Sequence, residues 1–203
     1  MFSNELGEIF LGGRVLILLR KSRSLILKFS RKFLTIFFKL KIFVFGLSVF
    51  CNGKVSFGKR VDIRTTDGGV LVIGDGTHLS DDIQIIVSGG TVTIGENVFI
   101  GRGAVVVARA NVAIGNDVQI AEYVTIRDQD HRIINNGNPL RDNGFDVDPV
   151  TIEDNVWIGA KATVTRGVAI KKNSIVGANS VVTSDVAENV VVGGCPARII
   201  GNY

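Results

Sequence analysis

The sequence contains little proline, cysteine and histidine, and each shortage excludes some classes of fold or function. Three prolines stand against 24 glycines in 203 residues, a balance that indicates many tight turns between ordered strands and not a disordered chain. The two cysteines, Cys51 and Cys195, are too few for a disulfide framework, so a reducing cytoplasm is predicted. The two histidines, His78 and His131, are too few for a three-histidine zinc site. No metal is therefore expected.

The sequence also lacks an apolar run long enough to cross a bilayer as a helix, which takes about 20 residues. The longest uncharged apolar stretch, 42–50, has nine residues. Residues 1–41 nevertheless carry nine basic side chains against two acidic ones, and apolar clusters alternate with them. This pattern predicts a basic amphipathic helical segment over 1–54, with peripheral membrane contact through 1–41 or packing against the body or a sister subunit as the alternatives.

The remainder of the chain is mildly acidic, with 14 basic side chains against 17 acidic ones. An enzyme that acts on nucleic acid would carry its positive charge on the folded body. No nucleic-acid partner is therefore expected.

From about Val55 the sequence repeats with a period of six. A six-residue period fits neither a helix nor a half-buried strand, but it fits a short strand plus a turn, three of which make a triangular coil of about 18 residues. Coils of this kind stack as parallel strands, which predicts an all-β parallel β-helix of about six to seven coils over 55–203. A small or β-branched residue follows four positions after each of the anchors named next except Ile126, which Asp130 follows at the start of the insertion. The clearest anchors are Ile94, Ile100, Val106, Ile114, Ile120, Ile126, Ile152, Ile158, Val164, Ile170, Val176 and Val182.

The hexads stop between Ile126 and Val150, where a polar loop of 23 residues, 127–149, is inserted. A loop of this length within a compact repeat is usually functional or disordered. Because it contains one of the two histidines, it is the first place to look for chemistry.

Three further motifs carry a resemblance to a known family. The segments 155–160, 177–185 and 194–200 read NVWIGA, GANSVVTSD and GCPARII. Together with the hexads they resemble the hexapeptide-repeat acyltransferases, whose rods are left-handed parallel β-helices that assemble as trimers. The most similar subgroup is that of the sugar and polysaccharide O-acetyltransferases, of the galactoside and maltose type and of capsule and lipopolysaccharide. The resemblance covers about residues 55–200.

This resemblance implies an enzyme that transfers an acetyl group from acetyl-CoA to a sugar hydroxyl, at active sites between the subunits of a homotrimer. The carbohydrate acceptor would belong to a bacterial surface polysaccharide or its precursor.

The inserted loop resembles the family's extended loop, which begins with a histidine and reaches toward a neighbouring subunit. His131 is predicted to be the general base that deprotonates the acceptor hydroxyl, because imidazole titrates near neutral pH. Asp128, Asp130 or a backbone carbonyl would orient its ring. Trp157, the one tryptophan, would either shape the thioester site or lie on the outside of a coil. Backbone N–H groups over 157–160 are candidate oxyanion donors.

Matching to the family, residue by residue, implies a path for CoA along the rod. Ala160 and Ala178 would flank the pantetheine arm. Thr183 and Arg198 would lie near the nucleotide end, with Arg198 as a phosphate partner.

The chain departs from the family pattern at two positions near this path. Ser184 stands where a lysine is common, and Gly201 stands where some sugar acetyltransferases have an arginine. Arg166 or Lys172 is the alternative source of positive charge for the CoA phosphates.

Four alternatives use parts of the same pattern. N-acetylation of an amino sugar nucleotide needs the same histidine and CoA groove, but a soluble sugar nucleotide needs no membrane contact. A γ-class carbonic anhydrase shares the rod but binds zinc through three histidines. A serine acetyltransferase needs a helical domain larger than residues 1–54. A non-enzymatic β-helix would leave the inserted loop, Trp157 and Arg198 without a role.

Overall fold

The computed structural model describes residues 36, 48–135, 137 and 139–203, and most of this part of the chain winds into a rod of three sheets. The strands are numbered along the chain. Sheet A consists of β1 (Val49–Cys51), β4 (Val70–Ile73), β7 (Thr91–Ile94), β10 (Asn111–Ile114), β15 (Val150–Ile152) and β18 (Ala169–Ile170). Sheet B consists of β2 (Ser56–Phe57), β5 (His78–Leu79), β8 (Phe99–Ile100), β11 (Gln119–Ile120), β16 (Trp157–Ile158), β19 (Ile175–Val176), β21 (Val190–Gly193) and β22 (Arg198–Asn202). Sheet C consists of β3 (Asp62–Thr66), β6 (Gln84–Ser88), β9 (Val105–Ala108), β12 (Thr125–Arg127), β17 (Thr163–Val164) and β20 (Val181–Val182).

The predicted parallel β-helix of hexapeptide repeats is confirmed. Each coil gives one strand to sheets A, B and C in turn, and each strand pairs in parallel with the coils before and after it, as Leu71 of β4 pairs with Val49 and Val92. Six complete coils stack in this way, numbered here from coil 1 (β1–β3) to coil 6 (β18–β20). Beyond them, β21 continues sheet B and the antiparallel β22 covers its edge, which would otherwise present unpaired backbone groups.

The interior of the rod is filled by the predicted anchors, all twelve of which are at most 2% exposed. Because successive side chains of a strand point to opposite faces, the residues beside each anchor lie on the outside of the rod. The small residues at the corners are also buried, except Ala110, which is half-buried. Ala110 differs because the chain turns there through an extended corner.

The coils differ in length, and the additional residues lie at the corner where sheet C of one coil leads to sheet A of the next, called here the C–A corner. Phe57 pairs with Leu79, 22 positions later, and Leu79 pairs with Ile100, 21 positions later. Ile158 pairs with Val176 after 18 positions. The predicted 18-residue coil is therefore correct for the last coils and too short for the first ones. The inserted loop leaves the rod at this same corner.

Gly101 marks a corner where two coils approach closely. A Cβ atom here would lie 2.6 Å from the carbonyl carbon of Ala121 and 2.8 Å from the backbone nitrogen of Glu122. These backbone atoms cannot move aside without shifting the stack. Gly101→Ala is therefore expected to lower the free energy of unfolding by about 1 to 3 kcal/mol, measured by urea denaturation. Gly201→Ala is the control, since its added Cβ would meet nothing closer than 3.9 Å. Equal losses in the two variants would contradict this account.

The N-terminal segment predicted over 1–54 is described only at Ile36 and from residue 48 onward, where β1 already belongs to the rod. The helical structure of this segment and the contact predicted through 1–41 therefore fall outside the described residues, apart from the single position Ile36. In the part of the chain that is described, no helix has the length and apolar character needed to cross a membrane.

Candidate active site

The inserted loop forms a β-hairpin that stands out from the C–A corner. After β12, the chain continues into β13 (Gln129–His131), which pairs antiparallel with β14 (Phe145–Val147). A 3-10 turn, Leu140–Asp142, lies between them. β14 leads back to β15, which pairs with β10 in sheet A. The predicted base, His131, is thus held outside the rod on an ordered strand.

The hairpin has two faces of different character, because cross-strand partners share a face. His131 is paired with Phe145, and their ring centroids lie 4.6 Å apart with a tilt of 34°. Asp130 and Asp146 are paired on the other face. One face is therefore aromatic and holds the histidine, and the other is acidic. His131 itself is exposed on the aromatic face.

The acidic face is neutralised by arginines. Arg132 Nε donates to Asp146 at 2.7 Å, and Arg166 Nε donates to Asp130 at 3.1 Å. Arg166 also pairs with Asp148. The role of Arg166 as a source of charge for the CoA phosphates stays a prediction, and in this chain Arg166 binds the base of the hairpin. This follows from its position at the C–A corner after coil 5, directly below the hairpin.

Asp128 lies at the base of the hairpin and is completely buried. Its carboxylate accepts the backbone N–H of Arg109 at 2.8 and 3.1 Å and that of Ala110 at 2.7 Å. Both amides belong to the C–A corner one coil earlier. Asp128 thus stabilises the extended corner, while Asp130 is bound to Arg166. Both aspartates that were candidates to orient His131 are engaged elsewhere.

Sequence reasoning missed two residues beside His131. The guanidinium carbon of Arg109 lies 4.0 Å from the centroid of the Phe145 ring, which is a cation–π geometry. Phe145 is the ring that contacts His131. One signal was present, since Phe145 is the one aromatic residue in the 23-residue loop. Arg109 gave none, because its place beside the hairpin depends on the stacking of coils.

Trp157 lies on the outer face of sheet B and is 53% exposed. Its indole is therefore accessible to a ligand or to another subunit. The backbone N–H of Trp157 donates to the carbonyl of Ser174 at 3.1 Å, and that of Gly159 donates to Val176 at 2.7 Å. These two amides are used by the parallel sheet and are not available as oxyanion donors.

Ala160 and Ala178 occupy equivalent positions in successive coils, at the corner between sheets B and C. The N–H of Asn179 donates to the carbonyl of Ala160 at 2.9 Å. Ala160 is half-buried and Ala178 is exposed. The structure therefore brings these two small residues together beside Trp157, along one edge of the rod.

Arg198 lies at the C-terminal end of the rod, beside a cleft of about 340 Å³ that is also lined by Val182 and Ser184. Thr183 stands between these two residues and is exposed. Arg198 Nη1 donates to the carbonyl of Ala197 at 2.8 Å. A guanidinium has five N–H donors, and this bond uses one of them. The structure thus places Arg198 close to the segment that contains Thr183.

Lys172, the other alternative cation for CoA, faces carboxylates. Its Nζ lies 3.5 Å from Glu188, and its backbone N–H donates to Glu153 at 3.0 Å. Lys171 Nζ donates to Glu153 at 2.9 Å. The side-chain hydrogen bond from Lys171 is the main cause that lowers the pKa of Glu153, and it raises the pKa of Lys171 in turn.

Over the described residues, no three histidine, cysteine or acidic side chains are grouped as metal ligands.

His131 and the residues implied for CoA lie on different sides of one chain. The hairpin leaves the rod at the C–A corner, and in a triangular rod the opposite side is sheet B, which carries Trp157 and Arg198. Ala160 and Ala178 lie at the far end of sheet C from the hairpin. Within one chain, His131 and Trp157 therefore lie on different sides of the rod.

Comparison with known proteins identifies the repeat. The family model for the hexapeptide repeat of succinyl-transferase matches residues 91–122 and 149–184. These ranges cover coils 3, 5 and 6 and the first two strands of coil 4, and the model omits β12 and the hairpin.

Two curated relatives match longer stretches of the chain than the family model does. A probable acetyltransferase of Mycobacterium tuberculosis is 32% identical over 155 residues, which are 76% of this chain and 52% of the relative. The galactoside O-acetyltransferase of Escherichia coli is 39% identical over 113 residues, 55% of this chain and 54% of the enzyme. The chain thus spans about half the length of these relatives.

A solved structure with the same fold is a mutant of AntD, an N-acyltransferase from Bacillus cereus in complex with dTDP-4-amino-4,6-dideoxyglucose and coenzyme A. The TM-score is 0.67 at 21% identity, and the match covers 80% of this chain and 88% of AntD. At this identity the likeness concerns the fold alone. The chain thus contains hexapeptide repeats, and over them it is similar to the acetyltransferases named above.

Proposed function

We propose that the chain transfers an acetyl group from acetyl-CoA to a hydroxyl of a sugar, with His131 as the general base. The observation that carries this proposal is the hairpin, which holds His131 exposed on an ordered strand outside a hexapeptide rod. Both sequence relatives are acetyltransferases, which supports the reaction type. The galactoside enzyme supports a sugar hydroxyl as the acceptor.

His131 removes the proton from the hydroxyl while the hydroxyl oxygen attacks the thioester carbonyl. A carbon–oxygen bond forms, the carbon–sulfur bond breaks, and the imidazolium returns the proton to the thiolate of CoA. Imidazole suits both transfers because it titrates near neutral pH. The exposed position of His131 leaves space for a large acceptor.

The donor side of the proposed site consists of Trp157, Ala160, Ala178, Thr183 and Arg198. The two alanines leave room for the pantetheine arm along the edge between sheets B and C. The exposed indole of Trp157 borders the thioester. Arg198, beside the cleft at the C-terminal end, binds a CoA phosphate through charge-assisted hydrogen bonds.

The separation of His131 from the donor residues bears on assembly. Since the two lie on different sides of the rod, the proposed site forms between subunits. A closed homotrimer, in which each hairpin reaches the sheet B of its neighbour, gives three equivalent sites. The basic, apolar sequence over 1–41 supports an acceptor at the cytoplasmic face of the membrane, such as a lipid-linked precursor of capsule or lipopolysaccharide.

The test is thiol release from acetyl-CoA by the full chain with three groups of acceptors: neutral sugars, acidic glycans and amino sugar nucleotides. Turnover with a hydroxyl acceptor is the expected result. Turnover with amino sugar nucleotides alone would replace the proposal by N-acetylation. If no acceptor supports turnover and CoA does not bind, the rod has a non-enzymatic role.

Arg198→Ala is expected to raise the Kd of CoA by about 10-fold or more, because a hydrogen bond to a charged group contributes about 1.5 to 3 kcal/mol. Isothermal titration calorimetry measures the change. Arg141→Ala is the matched control, since the Arg141 side chain is 82% exposed in the hairpin loop. Dephospho-CoA, which lacks the 3′-phosphate, identifies the phosphate that Arg198 binds. If it is the 3′-phosphate, the wild type and Arg198→Ala should bind this analogue with equal Kd. An unchanged Kd for CoA would remove Arg198 from the site.

A further inference from the structure

We infer that Arg109 and Phe145 are positioning residues that hold the imidazole of His131 in place from the rod. The inference rests on the proposed role of His131 as the base, and it concerns how that base is oriented. It arises from contacts between the hairpin and a coil that the chain formed 20 residues earlier.

The contacts form a continuous series. The buried carboxylate of Asp128 binds the backbone N–H groups of Arg109 and Ala110 and so fixes the corner from which the Arg109 side chain extends. The Arg109 guanidinium lies 4.0 Å from the centre of the Phe145 ring. That ring lies 4.6 Å from the ring of His131. The first two contacts join the hairpin to the preceding coil, and the third lies within the hairpin.

Arg109 differs in this respect from the other arginines around the hairpin. Arg132 and Arg166 bind carboxylates on the acidic face, whereas Arg109 packs on the aromatic face. A guanidinium over an aromatic ring is a favourable contact that a neutral side chain does not reproduce. Arg109 therefore restrains Phe145, and Phe145 restrains the imidazole.

This restraint replaces the carboxylate that often orients a catalytic histidine. Asp128 and Asp130, the two nearest in sequence, are bound to the backbone and to Arg166. A displacement of about 1 Å at a reacting group costs about 10²-fold in rate. A ring stack that limits the movement of the imidazole is therefore functionally important. The stack is a feature of this chain's own residues and needs no ligand to form.

The kinetic test compares Phe145→Leu and Arg109→Met with matched controls from the same loop. Ile133→Ala and Arg141→Met serve as controls because Ile133 is 85% exposed and the Arg141 side chain is 82% exposed. Phe145→Leu is expected to lower kcat by about 10-fold with the KM for acetyl-CoA unchanged, and Phe145→Tyr is expected to restore it. Arg109→Met is expected to lower kcat by a smaller factor than Phe145→Leu. In the double variant Arg109→Met/Phe145→Leu, kcat should be close to that of Phe145→Leu alone, because Arg109 and Phe145 act through one ring.

A second measurement does not depend on activity. The chain has only two histidines, so the imidazole signals of His131 in an NMR spectrum are assigned by comparison with His78→Asn. The ring current of Phe145 should displace them, and the displacement should vanish in Phe145→Leu and decrease in Arg109→Met. His131 signals that are the same in wild type and both variants would overturn the inference. So would kcat losses no larger than those of the controls. If the wild type has no turnover but the displacement is present and depends on both residues, the stack stands and the proposed function fails.

Discussion

Replacement of His131 by alanine is expected to lower kcat by about 10²- to 10⁴-fold at neutral pH, the usual contribution of a general base. The KM for acetyl-CoA should change little, because none of the residues proposed to bind the donor belongs to the hairpin. His131 is exposed, and the aromatic contact it makes is within the hairpin, so the melting temperature should not fall. Thiol release at saturating acceptor, with thermal unfolding of the same samples, measures both quantities.

The matched control is His78→Asn, which removes the chain's other histidine. His78 lies on the outer face of sheet B near the N-terminal end, 2.6 Å from the hydroxyl of Ser56. Its loss should leave kcat within the range of ordinary surface variants. Added imidazole should restore part of the activity of His131→Ala, since it replaces the missing base. A His131→Ala enzyme with wild-type kcat would show that another group takes the proton.

Asp128→Ala is expected to have the largest effect on stability, a loss of about 2 to 4 kcal/mol in the free energy of unfolding. The substitution removes a buried carboxylate that accepts two backbone N–H groups, from Arg109 and Ala110. Both donors would then lack their partner at a packed corner. Asp128→Asn retains one carbonyl oxygen, so its free energy of unfolding should lie between those of the wild type and Asp128→Ala. Urea denaturation gives the free energies, and hydrogen exchange at the two amides identifies the place of the change.

A surface aspartate of the same loop provides the comparison. Asp142 is 54% exposed at its side chain and lies 3.5 Å from Arg141, an exposed pair of a kind that contributes about 0 to 1 kcal/mol. Asp142→Ala should therefore be nearly neutral. If Asp128→Ala is equally neutral, water replaces the carboxylate and Asp128 does not stabilise the corner.

The interior of the rod could be predicted from the sequence because its rule is local. A residue such as Ile120 is buried as a consequence of its place within one hexad, and the strand it forms pairs with the equivalent hexads of the neighbouring coils. The coil length was less predictable. The additional residues of the first coils do not disturb the hexads on either side, and they become visible as a corner only when the coils are stacked.

The site was predicted in part for the same reason. His131 stood out because histidine is scarce and the insertion interrupts a regular pattern. The role of Asp128 was not predictable, because it depends on a contact with Arg109, which lies 19 positions earlier and one coil away. The ion pairs of Arg166 were not predictable for a similar reason: its partners Asp130 and Asp148 lie inside the insertion, where no repeat fixes the register. The roles predicted for Trp157, Ala160, Ala178, Thr183 and Arg198 stay predictions.

The rod passes the insertion without interruption. Val112 of β10 pairs with Val150 of β15, and Ile126 of β12 pairs with Val164 of β17, so coils 4 and 5 stack as though the 23 residues between them were absent. The length and composition of the hairpin can therefore change without altering how the coils pair. The part that we propose meets the acceptor can thus be exchanged without rebuilding the part that we propose carries the donor. A protein engineer can attempt to exchange residues 129–147, which keeps Asp128 and its hydrogen bonds to Arg109 and Ala110.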